Sequence, residues 1–186
     1  QENVVRTLYF AFPLVSIAII FSQPALFILN PLYEIAAIVV MVMSIVVFFQ
    51  TLNGLWESVL TGIENVDLNE KATPKDFLKS KLFALPTLRL IQRSTYLISL
   101  CVVFILFSTT VENKIELIFY WSIVALLTQI PLNIYLYILM KRHIKPKIPL
   151  IPIFKYLFSS VFIFGLTYLL MNKYLEYKIS IFEFLP

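Results

Sequence analysis

Five long apolar runs constrain this chain more than any other feature, because each is about as long as a helix that crosses a lipid bilayer. Such a helix needs about 20 predominantly apolar residues. Inside lipid, only helices and closed barrels satisfy every backbone hydrogen-bonding group. The runs lie at about 8–29, 34–62, 86–107, 115–140 and 153–171. We therefore expect a single all-α integral membrane domain with about five transmembrane helices.

The composition indicates the same class of protein. Of the 186 residues, 60% are hydrophobic and 14% are charged, whereas soluble domains carry roughly 25% charged residues. The one cysteine, Cys101, has no internal disulfide partner, and the one histidine, His143, lies in a basic loop. The sequence also lacks a Walker loop, a GxSxG motif and an HExxH motif. We expect no catalytic residues, no metal site and no cofactor, and therefore a protein that is not an enzyme.

The most polar stretch of the chain, 63–85, separates the second and third apolar runs. Within it, Thr73, Pro74 and Asp76 have the form of a helix start: a hydroxyl cap, a proline in the first turn and an acid three residues after the cap. Apolar residues and lysines then alternate with helical spacing. This pattern predicts a short amphipathic helix at about 74–85 that lies on the cytoplasmic surface of the membrane.

The distribution of Lys and Arg predicts the orientation of the protein in the membrane. Apart from Lys114, Lys173 and Lys178, every Lys and Arg lies in or next to the N-terminal flank, the 63–85 loop or the 141–152 loop. Basic residues are retained on the cytoplasmic side, so these three segments are predicted to be cytoplasmic in a multi-pass protein of the cytoplasmic membrane. Topology and contact with anionic lipid account for the net charge of +4, so we expect no nucleic-acid partner.

Glu57 is the most informative single residue, because ionisable groups in membrane helices are costly and usually face protein or a water-filled cavity. Gln50, Asn53 and Thr61 flank it at helical spacing, so the four side chains share one helix face. One interpretation is an interfacial carboxylate that reaches water or pairs with an arginine of the next apolar run. The other is a role in transport, as a proton site, a cation site or a gate.

Arg89 and Arg93 lie four residues apart near the start of the third run, with Gln92 beside them. One interpretation is that they anchor this helix at the cytoplasmic interface. The other is that they bind a phosphate or pyrophosphate headgroup, because a guanidinium presents a rigid fork of donors that matches phosphate oxygens. The use of arginine here, next to a surface helix that uses lysine, favours the second interpretation.

Two stretches of the sequence resemble a known family. A recurring element of the polysaccharide-export flippases, the Wzx-like branch of the MATE-like superfamily, is similar to RTLYFAFPLVSIAIIFSQPALFILNPLYEIAAIVV. In that element a helix with an early proline leads to an outer turn, and a tyrosine and small residues open the next helix. Archaeal members of the group are similar to LNGLWESVLTGIENVDLNEKATPKDFLKSKLFALPTLRLIQRSTYL, which has a Gly-Ile-acid motif and an SKLF-like segment.

The resemblance covers roughly 6–100 and implies that the chain is part of the C-terminal lobe of a larger, two-lobed flippase. We therefore expect an internal or C-terminal piece of a longer protein; the alternative is a nearly complete chain. In the family, the lobes rock around a central cavity and move a lipid-linked sugar from the cytoplasmic to the outer leaflet. The expected partners are membrane lipid, the lipid-linked sugar and the remaining N-terminal lobe.

From these observations we expect a flippase for a polyprenyl- or dolichyl-linked oligosaccharide. Arg89 and Arg93 would attract the phosphate of the lipid carrier, and Glu57 would counter or gate them. The residues expected to hydrogen-bond sugar hydroxyls are Gln50, Asn53 and Gln92. Two alternatives stay open: a cation-coupled small-molecule exporter of the MATE type, in which Glu57 is the coupling acid, and a membrane scaffold or accessory subunit of a larger complex.

Overall fold

The described part of the chain is helical and contains no strand. A computed structural model describes residues 2–64, 73, 75, 78, 80–107, 114–143 and 150–174. The elements are α1 (Glu2–Ile20), α2 (Ser22–Leu29), a 3₁₀ turn (Pro31–Ala36), α3 (Ala37–Gly62), α4 (Lys81–Phe107), α5 (Lys114–His143) and α6 (Leu150–Tyr174).

Four of the described helices, α3 to α6, are long and apolar enough to cross a membrane. The count becomes five when α1 and α2, which meet at a bend, are taken as one broken span. By length and composition, the prediction of an all-helical chain with about five membrane-spanning helices is therefore confirmed. At 1.5 Å per residue, the 26 residues of α3 extend about 40 Å, which is longer than a hydrocarbon core of about 30 Å.

Pro24 explains why the first span is broken. The axes of α1 and α2 differ by 57°, and Phe21 lies at the junction. A proline has no backbone donor, and its ring clashes with the carbonyl four residues earlier. For Pro24 that carbonyl belongs to Ile20, the last residue of α1. Pro13, in contrast, lies inside α1 without ending it.

A capped turn then reverses the chain before α3. The Asn30 side-chain oxygen accepts a hydrogen bond of 2.9 Å from the backbone N–H of Leu32, and Pro31 occupies the first position of the 3₁₀ turn. An asparagine cap followed by proline is a favourable helix start, because the cap satisfies a free donor and the proline has none. The side chain of Glu34 in this turn accepts a hydrogen bond from Gln23 of α2, which ties the turn to the helix before it.

The helices pack unevenly around α3 and α5, and this leaves a gap. Among the described elements, α3 packs most extensively against α5, and α1 packs against both α6 and α3. Helix α4 packs mainly against α5 and touches α3 at few points. The wedge between α3 and α4, closed at the back by α5, is where the candidate site lies.

An apolar cluster joins the helices at one end of the bundle. Trp56 and Leu60 of α3, Leu85 of α4, and Leu136 and Met140 of α5 are buried against one another. The end of α3, the beginning of α4 and the end of α5 therefore lie at this end of the bundle. Val4 near the start of α1 packs against the same cluster, so the N-terminal flank lies at this end too.

The sequence predicted the N-terminal flank, the 63–85 loop and the 141–152 loop to be on the cytoplasmic side of the membrane. The described helix ends that border these segments, in α1, α3, α4 and α5, share one end of the bundle, as this prediction requires. Four residues of the predicted amphipathic helix at about 74–85, namely 74, 76, 77 and 79, lie outside the described residues. Residues 81–85 form the beginning of α4, and Leu85 is buried in the apolar cluster.

Candidate functional site

A cavity of about 600 Å³ lies between α3, α4 and α5. Its lining changes character along α3, from Met43 and Val46 at one end to Glu57 near the apolar cluster. These positions span about 20 Å at the helical rise of 1.5 Å per residue. All six residues that the sequence analysis singled out for substrate contact or gating line this cavity: Gln50, Asn53, Glu57, Arg89, Gln92 and Arg93.

An ion pair links α3 to α4 at the cluster end of the cavity. Arg89 donates from Nε to Oε1 of Glu57 at 2.8 Å, and from Nη2 to Oε2 of the same carboxylate. Two parallel hydrogen bonds of this kind give an arginine–carboxylate pair both strength and a fixed geometry. The side chain of Glu57 is 11% exposed and that of Arg89 is 54% exposed. The carboxylate is therefore the enclosed member of the pair, and the guanidinium reaches into the cavity.

Arg93 has a different environment. It lies one helical turn beyond Arg89, it is exposed, and it lines the same cavity. Among the described residues, no carboxylate is within ion-pair distance of Arg93. Glu57 balances the charge of one arginine only, so the described lining of the cavity carries one net positive charge. An unbalanced guanidinium that faces an open cavity is suited to bind an anion.

The middle of the cavity is bordered by a chain of hydrogen-bonded side-chain amides between α3 and α5. Asn133 donates from Nδ2 to Oδ1 of Asn53 at 2.9 Å and, more weakly, to the backbone carbonyl of Phe49 at 3.4 Å. Asn53 in turn donates from Nδ2 to Oε1 of Gln129 at 2.9 Å. Asn53 is only 5% exposed, and both groups of its amide are occupied by α5. This side chain therefore helps to hold the two helices together.

The other predicted amides lie on the cavity wall without such partners. Gln50 and Gln92 line the cavity, and no described residue hydrogen-bonds to their side chains. Thr61, which shares the polar face of α3, is exposed and donates to the backbone carbonyl of Glu57. Gln50 and Gln92 are thus available to a ligand, while Thr61 is occupied within its own helix.

At the level of Tyr96, an aromatic contact joins α4 to α5. The indole nitrogen of Trp121 donates a hydrogen bond to the Tyr96 hydroxyl, and Tyr96 lines the cavity. Further toward the end of α4, the ring of Phe107 stacks on that of Tyr120 with centroids 4.7 Å apart. These contacts, together with the apolar cluster at the opposite end, hold α4 against α5 on both sides of the cavity.

The described residues offer no metal-binding group. No set of three or more His, Cys, Asp or Glu side chains comes together in the part of the chain that the structure describes. Cys101 is exposed on α4. His143 is exposed at the end of α5, with Nδ1 2.9 Å from the backbone oxygen of Leu139.

No protein-family model, curated protein or solved structure matches this chain.

Sequence reasoning missed the contribution of α5 to the site. Thr128 and Gln129 line the cavity, and Asn133 orients the amides beside it. A signal was present, because Gln129 and Asn133 are four residues apart in an apolar run and so share a helix face. Polar side chains at this spacing inside a membrane helix indicate contact with another helix or with a cavity.

Proposed function

We propose that this protein is a membrane flippase that moves a polyprenyl- or dolichyl-linked oligosaccharide across the cytoplasmic membrane, as part of a MATE-like C-terminal lobe. The cavity between α3, α4 and α5 is the proposed binding site for the phosphate of the lipid carrier. The predicted partners are the lipid-linked sugar, the surrounding lipid and the remaining lobe of the same protein.

The observation that carries the proposal is the unbalanced charge of Arg93. A guanidinium that has no ion-pair partner among the described residues is available to a ligand. Its planar fork of donors matches the geometry of phosphate oxygens. Arg89 also supports the proposal, although its Nε and Nη2 donate to the Glu57 carboxylate. The other terminal nitrogen, Nη1, has no described partner and still carries two donors.

The polarity of the cavity also fits a lipid-linked sugar. Its charged residues lie toward the end of the bundle that the sequence predicts to be cytoplasmic. Gln50 and Gln92 lie on the walls and offer hydrogen bonds of the kind that sugar hydroxyls make. Met43, Val46 and Leu97 supply apolar surface farther along. A ligand with a phosphate, hydroxyl groups and an apolar chain would find a complement to each part.

The same geometry argues against the cation-coupled exporter as the first choice. A coupling acid must be free to exchange a proton or a metal cation, whereas both oxygens of Glu57 accept hydrogen bonds from Arg89. In the flippase proposal Glu57 positions Arg89, so Glu57→Gln should leave transport measurable and independent of a proton or sodium gradient. Transport that depends on such a gradient and is abolished in Glu57→Gln would favour the exporter.

The decisive experiment is translocation of a lipid-linked oligosaccharide by the full-length natural protein in reconstituted vesicles. Replacing both Arg89 and Arg93 by alanine should reduce the rate to the level of protein-free vesicles, because the phosphate then has no cation in the described lining. Arg6→Ala is the matched control, since Arg6 is an exposed arginine of α1 that pairs with Glu2. Unchanged transport in the double variant would rule out the phosphate site, and absence of transport in the wild type would favour a scaffold or accessory subunit.

A further inference from the structure

In the chain of side-chain amides between α3 and α5, each amide donates a hydrogen bond to the next one. The order of donors and acceptors is fixed by a group outside the cavity. Its first member, Asn133, contacts a backbone carbonyl of Phe49, which can only accept a hydrogen bond. The 3.4 Å contact favours the orientation in which the NH₂ group of Asn133 faces α3, where the same nitrogen also donates to Oδ1 of Asn53 at 2.9 Å. The orientation of side-chain amides is decided by such networks, and here a group of fixed polarity anchors the network.

The same order of donor and acceptor continues from Asn53 to Gln129. Because Oδ1 of Asn53 faces Asn133, the NH₂ group of Asn53 faces Gln129 and donates to its Oε1 at 2.9 Å. A side-chain amide has one accepting and one donating end. With one hydrogen bond already made to its oxygen, Gln129 keeps both hydrogens of its NH₂ group free of described partners. Gln129 is half-buried and lines the cavity, so the unpartnered NH₂ group is its stronger candidate for contact with a ligand.

We infer that Gln129 is an oriented hydrogen-bond donor for an oxyanion of the ligand, and that Asn133 is the positioning residue that holds its donating end toward the cavity. Asn133 does this through Asn53, without lining the cavity itself. The ligand class is an acceptor-rich group such as phosphate or pyrophosphate. The inference deepens the proposed function and rests on it for the choice of a lipid carrier phosphate.

Two other amides of the wall do not share this property. Gln50 and Gln92 make no hydrogen bond with a described residue, so each can turn either its oxygen or its nitrogen toward a ligand. They suit sugar hydroxyls, which both donate and accept. Gln129 instead selects for acceptors, and it reinforces the positive charge of Arg93 in the same cavity.

Asn133→Asp tests the inference, because a carboxylate only accepts hydrogen bonds. Asn53 would then turn its NH₂ group toward position 133 and its oxygen toward Gln129, and Gln129 would turn its own oxygen toward the cavity. The probes are farnesyl pyrophosphate and farnesol, which share an apolar chain and differ in the oxyanion. The measured quantity is the affinity ratio, which is the affinity of the purified protein for farnesyl pyrophosphate divided by its affinity for farnesol. We expect this ratio to fall roughly tenfold or more, as for the loss of a hydrogen bond to a charged group.

Repeating Asn133→Asp in a Gln129→Leu protein separates the reversal of the Gln129 amide from the added negative charge of the aspartate. Gln129→Leu alone should lower the affinity ratio, and Asn133→Asp should then have no further effect in the Gln129→Leu protein. An equal fall of the ratio in both backgrounds would show direct electrostatic repulsion and overturn the role of Gln129. Asn133→Leu, which breaks the chain without reversing it, should give an intermediate ratio.

The readout also separates a positioning role from damage to the fold. A misfolded variant would lose affinity for farnesol and farnesyl pyrophosphate together, whereas reversal of Gln129 lowers affinity for the pyrophosphate selectively. An unchanged ratio in folded Asn133→Asp protein overturns the inference. Because these are equilibrium measurements, the expected ratios combined with absent translocation in vesicles would refute the flippase proposal and leave the oriented donor in place.

Discussion

Arg89→Met is expected to destabilise the protein more than Glu57→Gln, although both changes break the same ion pair. The reason is the unequal burial of the partners, with side chains 54% and 11% exposed for Arg89 and Glu57. Removing Arg89 leaves a buried carboxylate without its two donors. A fully buried pair broken in this way costs about 3–5 kcal/mol, and we expect about 2 kcal/mol here because Arg89 borders an open cavity.

Glu57→Gln should cost less, about 1 kcal/mol or below, because the remaining guanidinium is half-exposed and its charge can be solvated. The two variants and the double variant can be compared by their free energies of unfolding in detergent. The double variant should resemble Glu57→Gln, since removing the carboxylate removes the cause of the larger loss. Equal destabilisation by the two single changes would contradict the asymmetric burial of the pair.

Arg93→Ala is expected to weaken binding of farnesyl pyrophosphate by roughly 10- to 100-fold, the range given by hydrogen bonds to charged groups. Arg93 has no described carboxylate to compensate, so its loss takes the net charge of the described lining from positive to neutral. The measurement is equilibrium binding to the purified protein at low and at physiological ionic strength. The wild-type affinity should fall as salt is added, because salt screens accessible charges.

Two controls make this result specific to the cavity. Arg6→Ala removes an exposed arginine that pairs with Glu2 on α1, and it should leave the affinity unchanged. Arg93→Lys keeps the charge but loses the planar fork of donors, so it should retain part of the affinity. If Arg6→Ala and Arg93→Ala weakened binding equally, general surface charge and not the cavity would hold the probe.

Much of the fold follows from the sequence because the membrane limits the choices. Inside lipid, a run of about 20 apolar residues satisfies its backbone hydrogen bonds as a helix, and this principle predicts the helices that are long and apolar enough to span a membrane. The break between α1 and α2 depends on a finer local effect. Pro24 removes a donor and crowds Ile20, and the chain bends at Phe21. How far the axes turn depends on how α2 packs, which spacing in the sequence does not encode.

The candidate site, like the fold, was predictable from the sequence only in part. Helical spacing places Gln50, Asn53 and Glu57 on one face of α3, and this local geometry holds in the structure. Spacing does not reveal which neighbouring helix faces that surface. The selection of Arg89 over Arg93 as the partner of Glu57 depends on the height and rotation of α4 against α3. Both arginines fit the pattern equally well before the helices are packed.

For the same reason, the sequence suggested Asn53 as a sugar-binding residue, whereas the described contacts occupy both ends of its amide with Gln129 and Asn133. Whether a polar side chain meets a ligand or another helix is decided by tertiary packing. Within α5, Gln129 and Asn133 stand among apolar residues four positions apart, and that pattern was the available signal for their part in the site.

The positions of the chain's two tryptophans have a practical consequence for spectroscopy. Trp121 donates to the Tyr96 hydroxyl beside the cavity. Trp56 lies in the apolar cluster at the other end, near the ring of Tyr137, and its indole nitrogen has no described hydrogen-bond partner. The tryptophan fluorescence of the protein therefore has two sources in unlike surroundings. Single Trp→Phe replacements would isolate each emitter, giving label-free optical reporters for the two ends of the wedge.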